Sequence, residues 1–396
     1  MDRRSFLHSL TAGGLAGAAG ALGAAPIGTR KYRAGVIGHT GHGNYGHGLD
    51  TVWNAFEFVE VAAVADPDDA GRAKAMQANG AKHGYRDYRE MLEKEKPDVV
   101  SIGPRWMDQR VEMVTAAAEV GAHIYLEKAF ARDLAEADRM VRIVQNNNVK
   151  LQIAHQMRGS PFARGVKDLL DRGDLGTIQE VRIRGKEDRR AGGEDLMVLG
   201  SHVCDLARMF LGDPKWVFAH VTQDGAEMAV GHVREATEPL GPIAGNQIAA
   251  MFGFDNGVHA YFGSKASEQT HPLRFGTYIH GSKGVVFVPN AIYPEGQPYI
   301  LRSPSWLPRE GKGWEEVPPK QDIPGMSAIR GEGRQIANAL MALDLFESIE
   351  TGKKPFCSEV DGRWTIEMIS GIYQSQKAGG PVRFPLHERR HPLESM

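Results

Sequence analysis

Tyr32-Arg33-Ala34-Gly35-Val36-Ile37-Gly38-His39-Thr40-Gly41-His42-Gly43-Asn44-Tyr45-Gly46 is the stretch on which the fold turns. Tyr32–Ile37 is apolar and partly β-branched, which predicts a strand, and it runs directly into a glycine-rich loop. A strand, such a loop and then a helix make the setting of a dinucleotide fingerprint. Glycines let backbone amides approach a pyrophosphate, and a helix N-terminus adds partial positive charge. Gly41-x-Gly43-x-x-Gly46 fits the spacing, with Gly38 nearer the strand end; a plain tight turn would use the same residues. Asp66, closing the apolar run Val59–Ala65, strengthens the dinucleotide reading. A carboxylate there accepts hydrogen bonds from adenosine ribose hydroxyls and repels a 2′-phosphate. Gly38, Gly41, His42, Gly43, Asn44, Tyr45 and Asp66 are therefore the expected contacts of a bound NAD, in preference to NADP.

Working outward, apolar runs alternate with helical patterns. Ala70–Asn79 and Tyr88–Lys94 read as helices, Asp98–Ile102 as a third strand, Arg110–Val120 as a helix and His123–Leu126 as a fourth strand. Leu134–Asn146 is an amphipathic helix and Lys150–Ala154 another strand. This alternation implies an α/β domain over residues 31–155, a doubly wound parallel sheet with ligands at the carboxyl ends of its strands. From about Gly159 the texture changes. A helix at Phe162–Asp171 leads to strand-like runs at Ile178–Arg184, Trp216–Thr222, Gln247–Phe254, Val258–Gly263, Gly276–His280 and Val285–Val288. Asp255-Asn256-Gly257 between two of these is a hairpin signal. Residues 156–396 are thus expected to form an α+β domain with a large, mostly antiparallel open sheet. Pro294–Pro324 reads as a long ordered loop, and Asn338–Thr351 and Gly362–Lys377 as closing helices.

The chain of 396 residues carries a formal net charge of -2. That balance offers no basic footprint for nucleic acid. Cys204 and Cys357 are too few for a disulfide framework, and separate buried thiols are expected. Residues 1–25 differ from the rest. Asp2-Arg3-Arg4-Ser5-Phe6-Leu7 precedes a weakly hydrophobic run from Leu10 to Leu22, and small residues then offer cleavage sites after Ala21 or near Ala25. This order of features is that of a twin-arginine signal peptide, which sends a folded protein to the periplasm or another extracytoplasmic space. No later segment approaches 18 uninterrupted apolar residues, so no membrane span is expected in the mature protein.

Two further segments carry chemistry. Tyr125-Leu126-Glu127-Lys128-Ala129 ends a strand at the rim where a nicotinamide ring would lie. Gly192-Gly193-Glu194-Asp195-Leu196-Met197-Val198-Leu199-Gly200-Ser201-His202-Val203-Cys204-Asp205 enters a helix. Here the chain resembles the Gfo/Idh/MocA oxidoreductases (glucose–fructose oxidoreductase and inositol dehydrogenase among them). Their hallmarks are a strand-end Glu-Lys-Pro and a later Asp-x-Gly-x-His-x-x-Asp. The resemblance covers essentially the whole mature chain, including Asp361-Gly362-Arg363 and Glu367-Met368. It implies that Glu127 and Lys128 sit at the cofactor, with Lys128 bridging the nicotinamide and a substrate hydroxyl, and that His202 is the catalytic acid/base. It also implies a sugar or polyol substrate and a homodimer or homotetramer joined face to face by the second domain's sheet. General chemistry agrees: alcohol oxidation needs a base near the hydroxyl proton, and histidine titrates in a useful range.

Two positions depart from the family pattern. Ala129 replaces its proline, and Val198 its aspartate four residues before the histidine. Glu194, Asp195 and Asp205 are the available replacement carboxylates, although two helical turns put Asp195 about 10 Å from His202. His155 and Arg158, where the chain enters the second domain, are the remaining candidates for substrate contact. His39, His42 and His47 crowd the glycine loop but match no compact metal site, so no metal is expected. Trp53, Trp106, Trp306 and Trp314 are available to stack on a pyranose, the last two sharing the long loop.

The leading reading is an NAD(P)-dependent oxidoreductase of a sugar or polyol that keeps its cofactor tightly bound. Two alternatives stay open. A cofactor that is used transiently and regenerated in place would serve a redox-neutral keto-sugar lyase, hydratase or glycosidase, a reading favoured by Glu194-Asp195 and by Val198. A non-catalytic sugar- or nucleotide-binding protein is the third.

Overall fold

The computed structural model describes residues 28, 30–267, 271, 274–290, 292–308 and 313–395. The expected twin-arginine segment, residues 1–25, lies outside them. Six strands form the first sheet: β1 (Tyr32–Ile37), β2 (Val59–Ala65), β3 (His83–Tyr85), β4 (Val99–Ile102), β5 (His123–Leu126) and β6 (Leu151–Ile153). All pair in parallel, in the order β3-β2-β1-β4-β5-β6. The order reverses direction between β1 and β4, which opens a crevice above their carboxyl ends. Central strands covered on both faces are apolar over most of their length, and Ala34, Val36 and Ile37 of β1 are all buried.

Helices α1 (Asp69–Asn79), α2 (Tyr88–Glu95), α3 (Arg110–Glu119) and α4 (Leu134–Asn146) cover this sheet. Three of them start on an aspartate whose carboxylate accepts an orphan amide: Asp68 from Gly71, Asp87 from Arg89 and Asp133 from Glu136. The short edge strand β3 was not visible in the hydrophobic pattern, so Val99–Ile102 is the fourth strand and not the third. The expected helix after the glycine loop does not form. Residues 40–50 make a series of turns that ends in a single 3-10 turn at Val52–Ala55. Gly41, Gly43, Asn44, Gly46 and Gly48 all have positive φ, a conformation a right-handed helix cannot contain.

Beyond residue 155 the chain forms α5 (Gln156–Gly159), α6 (Pro161–Asp171), β7 (Ile178–Arg184), α7 (Gly193–Val198), α8 (Gly200–Leu211) and β8 (Trp216–Gln223). The short strands β9 (Ala226–Glu227), β10 (Arg234–Glu235) and β11 (Pro242–Ile243) follow. After them come β12 (Gln247–Gly253), β13 (His259–Lys265), β14 (Gly276–Gly281), β15 (Gly284–Pro289), β16 (Tyr299–Leu301) and β17 (Trp314–Glu316). The last elements are α9 (Arg334–Thr351), α10 (Glu359–Ala378) and β18 (Val382–Arg383). The main sheet has ten strands in the order β17-β16-β15-β14-β7-β13-β12-β8-β18, with β9 attached to β8. It is antiparallel except for the β7–β13 pair. The stretch expected to be one long loop contains β16 and β17, which pair with each other and with β15. α8 and α10 pack on one face of the sheet.

The boundary near residue 155 separates the two sheets but not two independent bodies. α9 returns to pack on β5, β6 and the 3-10 turn of the first domain, and α10 packs on α4. The Ile153 amide donates to the Cys357 carbonyl at 2.8 Å. Cys204 and Cys357 are free, buried thiols.

His123 marks where this sheet is sensitive to acid. Its Nδ1 accepts the Lys150 amide at 2.9 Å, which only a neutral imidazole can do. Burial, aided by Arg30 and Lys150, pushes its pKa down to about 4. The unfolded chain takes up that proton near pH 6.5, so stability is expected to fall as pH drops from about 6.5 towards 4 and to be insensitive to this group above 6.5. Thermal melts across that range should show the loss, and His123→Gln, which keeps an acceptor but does not titrate, should flatten the slope.

Candidate active site

β1 delivers Gly38 to the crevice, and the loop that follows closes largely upon itself. Asp66 is fully buried and accepts the Thr40 amide (3.1 Å), the Thr40 hydroxyl (2.7 Å) and the Asp68 amide (2.9 Å). The Gly41 amide donates to Asn44 Oδ1 at 3.0 Å, and the His42 and Asn44 amides both donate to the His39 carbonyl at 2.9 Å. Three of the glycines answer to packing. A Cβ at Gly38 would lie 2.0 Å from the Tyr45 ring, at Gly43 2.6 Å from the Trp106 amide, and at Gly46 2.3 Å from the Glu127 carboxylate. Gly41 alone of the four has nothing within 4 Å of that position. His42 meets Trp106 edge to face (4.2 Å between centroids), and its Nε2 lies 2.9 Å from Asp108. Asn44, Tyr45 and His42 therefore shape this loop from within.

A cavity of about 210 Å³ opens beside the loop, bounded by Gly38, His39, Asp66, Pro67 and the turn from Arg86 to Arg89. It lies at the carboxyl edge of β1 and β2, where this topology receives an adenosine. The carboxylate of Asp66 borders it and retains acceptor capacity beyond its three internal bonds. With the uncovered face of Gly41, these residues fit a dinucleotide.

Around the end of β5, Glu127 is the anchoring group. Wholly buried, it accepts the His47 amide at 2.9 Å and the amide of its neighbour Lys128 at 3.0 Å, and it lies 3.1 Å from His47 Nδ1. Burial alone would raise its pKa; His47 and Lys128 outweigh that and hold the carboxyl at about 2. The side chain of Lys128 turns into a cleft of about 180 Å³, lined also by His47, Lys186, Arg190, His202 and Asn290. Its ammonium donates to the carbonyl of Val198 at 3.2 Å. Burial, against the pull of Glu127, pushes its pKa below the ordinary lysine value. His202 enters the same cleft from the first turn of α8. Burial, reinforced by His155 and Lys128, pushes its pKa well below that of a free imidazole, so it is neutral and able to accept a proton. The structure thus brings Lys128 and His202 together, as the sequence implied.

The weaker substrate candidates do not reach the cleft. Arg158 points away from it, donating to Asp205 (2.8 Å) and Asp361 (3.3 Å), both buried. Glu194 accepts the Thr237 hydroxyl and amide. Asp195 accepts the Ser264 hydroxyl (2.6 Å) and the Glu187 (3.0 Å) and Lys186 (3.2 Å) amides. These carboxylates are occupied in stabilising their surroundings and replace nothing at Val198. His155 lies behind His202, with ring centroids 5.1 Å apart. Its Nδ1 is 3.6 Å from Asp205, too long for a hydrogen bond. His155, Asp205 and Cys357 bring metal-ligand atoms within 4.8 Å of one another, with the Arg158 guanidinium against the same carboxylate. Among the described residues no tryptophan lines the cleft: Trp53 is core, Trp306 donates to the Gly281 carbonyl at 2.9 Å, and Trp314 is exposed on β17. Sequence reasoning overlooked Lys186, Arg190, Gln156, Asn290 and Asn338. The charged run Lys186-Glu187-Asp188-Arg189-Arg190 was a signal for the first two, and Asn290 left none.

A six-stranded Rossmann sheet, a crevice fit for a dinucleotide and a lysine–histidine pair at its rim define an NAD-binding oxidoreductase. Comparison with known families agrees. Residues 32–155 match the oxidoreductase family with an NAD-binding Rossmann fold, and residues 163–287 match the Gfo/Idh/MocA C-terminal domain. Together they cover more than half of the chain, which belongs to the Gfo/Idh/MocA family. Levoglucosan dehydrogenase of Pseudarthrobacter phenanthrenivorans is 28% identical over 254 residues, 57% of this chain and 64% of that enzyme, somewhat under two thirds of its length. D-apiose dehydrogenase of Paraburkholderia graminis is 29% identical over 361 residues, 86% of this chain and 87% of that one. The fold also superposes on a levoglucosan dehydrogenase solved with NADH and levoglucosan, with a TM-score of 0.72 and 21% identity, covering 90% of this chain and 100% of that chain.

Removing Arg158 tests the structural role given to it. Arg158→Met leaves Asp205 and Asp361 buried with a partner missing, which is expected to cost about 3–5 kcal/mol of stability, read by denaturant melts. A residue contacting substrate would instead change KM and leave the melt in place.

Proposed function

We propose that this protein oxidises a secondary hydroxyl of a sugar or polyol, or reduces the corresponding ketone, in the cleft between its two sheets. The observation that carries the reading is the convergence of Lys128 and His202 on one cleft beside a dinucleotide-fitting crevice. Relatives named as levoglucosan, D-apiose and myo-inositol dehydrogenases support the substrate class. Bound NAD supplies the hydride acceptor or donor. The chain's residues manage the proton and the charge. Neutral His202 accepts the hydroxyl proton, and the ammonium of Lys128 stabilises the oxygen as negative charge develops on it. Glu127 orients Lys128 from below through its backbone amide. The redox-neutral reading loses the support of Glu194 and Asp195, which bond to Thr237 and Ser264, and keeps only that of Val198.

Two further features belong to this reading. The arginine pair Arg3-Arg4 and the weakly hydrophobic segment after it support export of the folded protein by the twin-arginine route, with the cofactor loaded beforehand and held tightly. Association through the uncovered face of the large sheet is supported by a row of side chains in register across it: Phe218, Met251, Tyr261, Arg182, Tyr278 and Phe287. Phe218, Tyr261 and Tyr278 are exposed, an apolar belt of the kind that a second copy covers.

Four measurements check these assignments. Purified protein given NAD and a panel of sugars and polyols should form NADH with at least one. Lys128→Ala and His202→Ala should each lower kcat/KM by about 10²–10⁴-fold with unchanged melting; full activity in Lys128→Ala would remove the lysine from the mechanism. Since neutral His202 is the active form and its pKa is lowered, the acid limb of kcat/KM for alcohol oxidation should fall below pH 6.5. Replacing Arg3 and Arg4 by lysine should leave the protein in the cytoplasmic fraction.

A further inference from the structure

The charges in the cleft are one-sided. Lys128, Lys186 and Arg190 line it, and no carboxylate is among its described lining residues. Glu238 lies in an adjoining recess, 3.9 Å from Arg105. Asp188 is the counter-charge for Arg190 (2.7 Å) and stands 3.6 Å from Lys186, so one carboxylate serves two cations. A site for a neutral sugar relies on carboxylates and amides that accept hydroxyl protons. Here the acids near the site are committed elsewhere, Glu194 to Thr237 and Asp195 to Ser264, and Val198 adds none. Asp195 also holds the backbone of Lys186 and Glu187, so the loop that carries the cations is fixed in place. Asn290 completes the picture, because its Oδ1 is buried and lacks a partner. It is an acceptor awaiting a hydroxyl.

Resting on the oxidoreductase reading above, we propose that the substrate is an acidic sugar or polyol. Its anionic group is taken by Lys186 and Arg190, and a hydroxyl is taken by Asn290. Both cations come from the segment between β7 and α7 of the second domain. The pyrophosphate of a dinucleotide, in contrast, belongs at the glycine loop of the first. Charge-assisted, forked contacts of an arginine and a lysine are the usual recognition of a carboxylate or a phosphate ester. An anion there also supplies the second counter-charge that Asp188, shared between Lys186 and Arg190, leaves wanting.

The test compares each neutral sugar with its acidic counterparts: glucose with gluconate, glucuronate and glucose 6-phosphate, and galactose with its matching set. NADH formation is followed at two ionic strengths. The expected result is a kcat/KM tenfold to hundredfold higher for an acidic member than for its neutral parent, an advantage that shrinks with salt. Lys186→Gln and Arg190→Gln should remove that advantage, through KM rather than kcat. Preference for the carboxylates or for the phosphate identifies which anion is read. Equal turnover of neutral and acidic members, unaltered by Lys186→Gln, overturns the proposal while leaving the oxidoreductase reading intact. If no member of the panel is oxidised, the melting shift of the NADH-loaded protein decides it: stabilisation by acidic members alone supports an anion site, and equal or no stabilisation overturns it.

Discussion

A single buried carboxylate, that of Glu127, ties together the parts that the site requires. It meets the end of β5, the glycine loop through His47 and the packing of Gly46, and it sets the backbone of Lys128. Buried without partners, such a charge would be intolerable. With two amides and an imidazole around it, it stays ionised and keeps three segments in register. From His47 the connection continues. Its carbonyl accepts Asn338 Nδ2 at 2.9 Å, and Asn338 Oδ1 accepts from Tyr125 (2.8 Å) and Gln156 (2.9 Å). The polar chain therefore runs from the first sheet through α9 to the first turn of the second domain, along one wall of the cleft.

The same economy explains what became of the acids near His202. Burying a carboxylate is tolerable only when donors meet it, and each candidate has found its donors away from the cleft. Asp195 is satisfied by Ser264 and two amides of the loop before α7, and Asp205 is held through one oxygen by Arg158, its other oxygen being buried without a hydrogen-bond partner. Loss of a carboxylate at Val198 thus leaves the cleft with Lys128, Lys186 and Arg190 as its charged groups. The depressed pKa values of Lys128 and His202 follow from burial, which acts against the pull of Glu127 on the lysine and is reinforced by His155 and Lys128 at the histidine.

Much of this was legible in the chain itself. The strand–glycine loop–strand–Asp66 order indicated the parallel sheet, and the Glu127-Lys128 and Gly200-x-His202-x-x-Asp205 patterns located both sides of the cleft. Strands of the second sheet were legible because one face is buried and the other is not. The elements that escaped notice have physical causes. β3 is a three-residue edge strand held by pairing with β2, and β16 and β17 are short strands in a Pro-rich stretch. The turns after Gly38 carry a glycine pattern that reads as a helix start until the signs of φ are known. Arg158 and Asp205 resembled substrate ligands because sequence shows residue types and spacing, not the direction in which a side chain points.

Sequence by itself determined most of the longer strands, which edge of the first sheet carries ligand chemistry and which lysine and histidine enter the cleft, since periodicity and short motifs are local properties of the chain. Tertiary structure alone decided how each charge is spent. Whether Glu194 faces a substrate or Thr237, and whether Lys186 and Arg190 line a cleft or a solvated surface, depends on segments distant in sequence. Desolvation and partner geometry, which exist only after those segments pack, settle the energy of every buried charge.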